Sequence, residues 1–70
     1  MKTYAKQWRT LNTSWPEEGD LIDIVYEDGE LSSVELNVLY SVDHYGNGSF
    51  TKNGVEYQDD YITGWKHVQE

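Results

Sequence analysis

Residues able to do chemistry are few in this chain, and their spacing is informative mainly for what it excludes. Cysteine is absent, so the chain has no thiolate nucleophile and no disulfide. No Gly-x-Ser-x-Gly elbow, P-loop or dinucleotide fingerprint occurs. Asp43-His44, with Ser41 and Ser49 close by, is the grouping that holds the residue types of an orienting acid, a base and a nucleophile. In a strand, Asp43 and His44 point to opposite sides, so the spacing reads as a surface or rim histidine rather than a triad. His67, close to the C-terminus, reads as solvated. Asp20, Asp23, Glu27, Asp28 and Glu30 are dense but lack the alternation of a calcium loop, and two histidines without cysteine do not make a zinc set. The expectation is no catalytic residue, no metal and no cofactor, hence not an enzyme.

What remains is charge and aromatic surface. The net charge is −8, and it is local. Residues 1–16 carry Lys2, Lys6 and Arg9 and no acid, whereas residues 17–35 carry Glu17, Glu18, Asp20, Asp23, Glu27, Asp28, Glu30 and Glu35 and no base. Such a field repels nucleic acid and anionic lipid and attracts basic surfaces. Direct nucleic-acid binding and a membrane are therefore disfavoured, and a protein partner with a basic surface is favoured; a merely solubilising face is the plainer reading. Trp8, Trp15 and Trp65 are expected in or around a small core. Trp15 sits in a loop, where burial is least assured, and beside the carboxylates it completes the expected partner-binding set: an aromatic anchor ringed by acid.

The element that must position these groups is the stretch 33–44. Its even positions, Val34, Leu36, Val38, Tyr40 and Val42, are apolar until His44, and its odd positions are polar except Leu39. Period two predicts a strand with the even residues facing the core and with Glu35 and Leu39 on the other face. So long a strand, spanning roughly 35–40 Å, is expected to bend or bulge. A rival reading takes Ser32 and Glu35 as a capping box opening a short helix over 32–43. The helical wheel opposes it, because Glu35 falls among the apolar residues while Leu36 and Tyr40 fall opposite them. The three valines also favour a strand.

Around this stretch the chain punctuates itself. Residues 3–9 alternate weakly, as an edge strand would, and Thr10 to Gly19 form a loop. Leu21 to Tyr26 is a short strand rich in β-branched residues. Asp28-Gly29 then supplies a hairpin turn, Tyr45 to Gly48 a second reversal, and Asn53-Gly54 the strongest turn signal in the chain. With Asn53 and Gly54 as the loop residues, Lys52 opposes Val55 and Phe50 opposes Tyr57. Tyr61 to Val68 reads as a last strand, with Gly64 marking a bulge.

These signals predict a mainly β fold: a single domain over 1–70, built as a small antiparallel meander of about five strands. It is either an open twisted sheet or an SH3-like barrel; the alternative is α+β with the helix at 32–43. No segment is long and apolar enough to span a bilayer, and no signal-peptide core is present, so a cytoplasmic protein is expected.

Trp8, then Pro16-Glu17-Glu18-Gly19 leading into Leu21 to Val25, and finally Ile62-Thr63-Gly64-Trp65 occur in an order that resembles a short phage and prophage domain of unknown function. Members of that family have an N-terminal tryptophan, a Leu-Pro-x-x-Gly-like turn and a Thr-His-Trp-Met-Pro-like tail. Here Trp15 replaces the leucine, Gly64 replaces the histidine, and no proline follows Trp65. The resemblance implies a phage or prophage origin and carries over no catalytic or binding residue. Taken with the acidity, it leads to the expectation of a non-enzymatic accessory protein that binds a host protein through an acidic face, with DNA mimicry as a narrower form. The alternative is a self-associating structural module, in which a second copy covers the long strand.

Overall fold

The structure is a computed structural model and describes residues 8–68. Among these residues five strands form, β1 (Leu21–Asp28), β2 (Leu31–Val42), β3 (Gly48–Lys52), β4 (Val55–Tyr57) and β5 (Ile62–His67), with a 3-10 turn at Asp59–Tyr61 between the last two. They make one antiparallel sheet in the order β4-β3-β2-β1-β5. β4 and β5 do not pair with each other, so the sheet is open rather than a closed barrel, and no helix forms over 32–43. The expected strand over 3–9 lies outside the described residues except for its end. There, Arg9 forms a two-bond bridge with Trp65 at 2.7 and 2.8 Å on the outer side of β5.

Turn chemistry sets the register. Asn53 and Gly54 both have positive φ (54° and 80°), as a type I′ turn requires, and Phe50 faces Tyr57 across the hairpin as expected. In the first hairpin Asp28 pairs with Leu31, so the loop residues are Gly29 and Glu30 rather than Asp28 and Gly29. Glycine at the first loop position, with φ of 65°, suits a II′ turn. Between β2 and β3 the Asp43 carboxylate accepts the N–H groups of Tyr45 and Asn47 at 2.9 and 3.0 Å and so organises its own loop.

β2 does contain the expected irregularity, and its position corrects the assignment of faces. Ile22 pairs with Val38 but Ile24 pairs with Glu35, so Leu36 and Asn37 together oppose the single residue Asp23. Asn37 takes φ of 59°, a conformation asparagine tolerates better than most residues. Its N–H donates to Asp23 Oδ1 at 3.1 Å. The extra residue inverts the alternation. Val38, Tyr40 and Val42 face the core as predicted, but Val34 and Leu36 turn outward, and Glu35 comes round to the core side, where Lys52 approaches it at 3.7 Å. β5 has its own bulge: Val25 pairs with Gly64 and Tyr26 with Ile62, which leaves Thr63 as the extra residue beside the glycine.

The core lies on one face of the sheet and consists of Ile22, Ile24, Val38, Tyr40, Phe50, Ile62 and Trp65. The loop before β1 covers it. Trp15 packs its ring 6.0 Å from Tyr40 and 5.8 Å from Phe50, Pro16 is buried, and the Trp65 indole N–H donates to the Ser14 carbonyl at 3.1 Å. Three aromatic side chains and one indole bond thus close an end of the core that no helix among the described residues covers. On the opposite face Leu21, Val34, Leu36 and Leu39 are exposed.

Candidate partner-binding surface

The expected partner-binding residues divide into three groups. Glu17, Glu18 and Asp20 lie in the loop at the start of β1, and Glu27, Asp28 and Glu30 lie at the hairpin tip. Seven residue-to-residue steps of extended chain take Asp20 to Glu27, or roughly 23 Å, so the two acidic clusters sit at opposite ends of the strand. Asp23 belongs to neither. It is buried between them, with Oδ2 3.1 Å from Lys66 Nζ, which removes it from the accessible set. Glu35, half-buried beside Lys52, likewise leaves the outer face on which the alternation had placed it. Burial, and secondarily the Glu35 carboxylate, pushes the Tyr57 hydroxyl above its ordinary range.

Asp20 is held rather than free. Its Oδ2 accepts the Glu17 N–H at 2.8 Å and a His67 Nε2–H at 3.0 Å, and these contacts, the backbone donor foremost, hold its carboxyl below the ordinary range. His67 is therefore not simply solvated: it ties β5 to the loop before β1, with its ring edge-on to Trp65 at 5.1 Å. The Arg9 guanidinium stands 5.1 Å from the Trp65 ring. A histidine oriented by a carboxylate is part of a general-base arrangement. Ser41 and Ser49, however, bond each other across β2 and β3 at 3.2 Å, and the Asp43 carboxylate is engaged with its own loop. His44 is exposed and lies against Tyr45 at 4.0 Å between ring centroids.

Trp15 is 46% exposed, so one face of the indole closes the core while the other looks outward. That outer side borders a cleft of about 460 Å³ between the 10–15 loop and the 3-10 turn, lined by Leu11, Trp15, Ile62, Asp59 and Asp60. The two aspartates were not among the expected site residues. Asp-Asp-Tyr between two strands looks like an ordinary connection, and only the return of β5 alongside β1 brings it opposite Trp15. Tyr61 also reaches Tyr26, whose ring meets Tyr57 at 5.1 Å and Tyr61 at 5.9 Å. Among the described residues, no cation pairs with Glu27, Asp28, Glu30, Asp59 or Asp60, no three His, Cys, Asp or Glu side chains converge as metal ligands, and no helix is long and apolar enough to cross a membrane.

No family model matches the sequence, no curated protein is detectably similar to it, and no solved structure matches its fold.

Proposed function

We propose that this is a non-enzymatic accessory protein, of phage or prophage origin, that binds a host protein carrying a basic surface. The observation that carries this reading is two sets of carboxylates that no cation among the described residues pairs with, one on the hairpin tip and one on the 3-10 turn, the second lining a cleft with a tryptophan that is half exposed. Carboxylates without internal partners have no ion pair to break before they meet lysine and arginine, and lose only their own hydration on contact. DNA-mimic inhibition is the narrower form. With Asp23 internal, such mimicry would rest on Glu27, Asp28, Glu30, Asp59 and Asp60, with Glu17 and Glu18 at the far end, rather than on one continuous row.

Capture from a bacterial lysate at about 50 and 500 mM salt tests the proposal, because a carboxylate-for-phosphate contact must weaken steeply with salt. A basic protein should be retained at low salt, released at high salt, and lost with Glu27→Lys/Asp28→Lys/Glu30→Lys. Retention that ignores salt and charge reversal would refute it. For the mimic form, the captured protein should also release DNA when this chain is added.

A second reading, self-association, is favoured by the exposed Leu21, Val34, Leu36 and Leu39 on the sheet face opposite the core. Sedimentation over a wide concentration range separates the two, since a strict monomer excludes obligate assembly.

A further inference from the structure

β2 is hydrogen-bonded on both sides only at its C-terminal end. Residues 39–42 pair with β3, while residues 31–35 pair with β1 alone, and among the described residues no strand lies along their other side. The two-residue loop makes Asp28 and Leu31 a hydrogen-bonded pair. By the antiparallel alternation Leu31, Ser33 and Glu35 then direct their backbone groups to β1, and Ser32 and Val34 direct theirs away. This outer edge is open to solvent: Leu31, Val34 and Leu36 are 74%, 56% and 51% exposed. Sheet edges are usually protected by lysine, proline or brevity. None of these occurs between Glu30 and Asn37, and the bulge lies at the far end, where the Asn37 N–H turns inward to Asp23.

From this geometry we infer that the outer edge of β2, residues 31–36, accepts an extended segment of the partner as an added strand, and that the segment alternates basic with apolar residues. The inference rests on the proposed binding of a basic partner and specifies its mode. Charge complementarity selects the occupant. The edge leads into Glu27, Asp28 and Glu30 at the tip, and a second copy of this chain would bring the same carboxylates and another −8 against them. On one side of an added strand, apolar residues would lie beside Val34 and Leu36. On the other, basic residues would lie toward the tip carboxylates Glu27, Asp28 and Glu30, Glu35 being already met by Lys52. Main-chain bonds would supply register, and the alternating side chains specificity.

The test uses the full chain and two synthetic heptapeptides of equal charge, Lys-Val-Lys-Val-Lys-Val-Lys and Lys-Val-Lys-Pro-Lys-Val-Lys, with amide hydrogen exchange read residue by residue. The alternating peptide should slow exchange at Ser32 and Val34 and bind about tenfold more tightly than its proline-interrupted counterpart, the loss expected when one or two strand bonds cannot form. If both peptides bind equally, with salt dependence but without protection of β2, the added strand is refuted while the acidic-surface reading stands. If neither binds at low salt, both readings fall. If Ser32 and Val34 are already protected without peptide, in proportion to protein concentration, a second copy occupies the edge and the inference is overturned.

Discussion

Replacing Asp23 by alanine removes the group that holds three parts of the sheet together. Its carboxylate receives the Lys66 ammonium from β5 at 3.1 Å and the Asn37 N–H from the β2 bulge at 3.1 Å, and both ion-pair side chains are largely shielded from water. Losing one partner of a buried pair costs about 3–5 kcal/mol, and an orphaned N–H adds to that. Two features soften the loss here: the Lys66 stem is long enough to carry its charge toward solvent, and the Trp8 ring lies 5.5 Å from the ammonium. The expected destabilisation is therefore about 2–4 kcal/mol, a large share of the roughly 3–5 kcal/mol available to a domain this small. In thermal unfolding followed by circular dichroism this lowers Tm by roughly 10–30 °C. Lys66→Met and the double variant Asp23→Ala/Lys66→Met complete a cycle, in which the coupling should be about 1–3 kcal/mol because the double variant leaves no unpaired buried charge. A loss below about 0.5 kcal/mol for Asp23→Ala, or additivity within the same margin, would refute the assignment of Asp23 as the pin of the bulge.

Asp20→Ala should destabilise the fold by about 1 kcal/mol at neutral pH through its lost hydrogen bonds. Because the folded-state pKa of Asp20 is depressed, its contribution is fully present above the ordinary value of 3.8 and disappears as pH falls through the lower folded value. Urea midpoints for wild type and variant should therefore differ at pH 7 and converge in strong acid. Gly48→Ala places a Cβ 2.6 Å from Tyr40 Cε1, inside a buried ring that cannot retreat, and should cost about 1–3 kcal/mol, read as a lower Tm. Trp15→Ala uncovers Tyr40 and Phe50; with about half of its side chain already exposed, it should lose about 1.5–2.5 kcal/mol, less than a fully buried tryptophan, by denaturant unfolding. It should also weaken binding of the basic partner.

The elements whose signals are local were legible from residue order. Asn53-Gly54 specifies its turn because both positions need positive φ, and that turn alone places Phe50 opposite Tyr57. The alternation of Val38, Tyr40 and Val42 identifies a strand and its buried side. The same rule failed for Val34 and Leu36, since one bulge residue reverses every face before it. Nothing in the local pattern says that Asn37 is that residue. The bulge exists because Asp23, fourteen positions earlier, offers an acceptor to its N–H while being neutralised by Lys66 from the other end of the chain.

The candidate surface shows the same division. Composition was enough to show an acidic chain with no cysteine chemistry, and turn chemistry put Glu27, Asp28 and Glu30 at an exposed tip. Sequence proximity groups eight carboxylates as one acidic face. The tertiary structure divides that face, because extended chain carries Asp20 and Glu27 to opposite ends of β1 and pairing with β5 draws Asp23 inside. It also brought Asp59 and Asp60 to the cleft beside Trp15, which residue order could not do. The contact depends on β5 returning next to β1, and that choice is made by the burial of Ile62 and Trp65 over the whole sheet rather than by any residue near the aspartates.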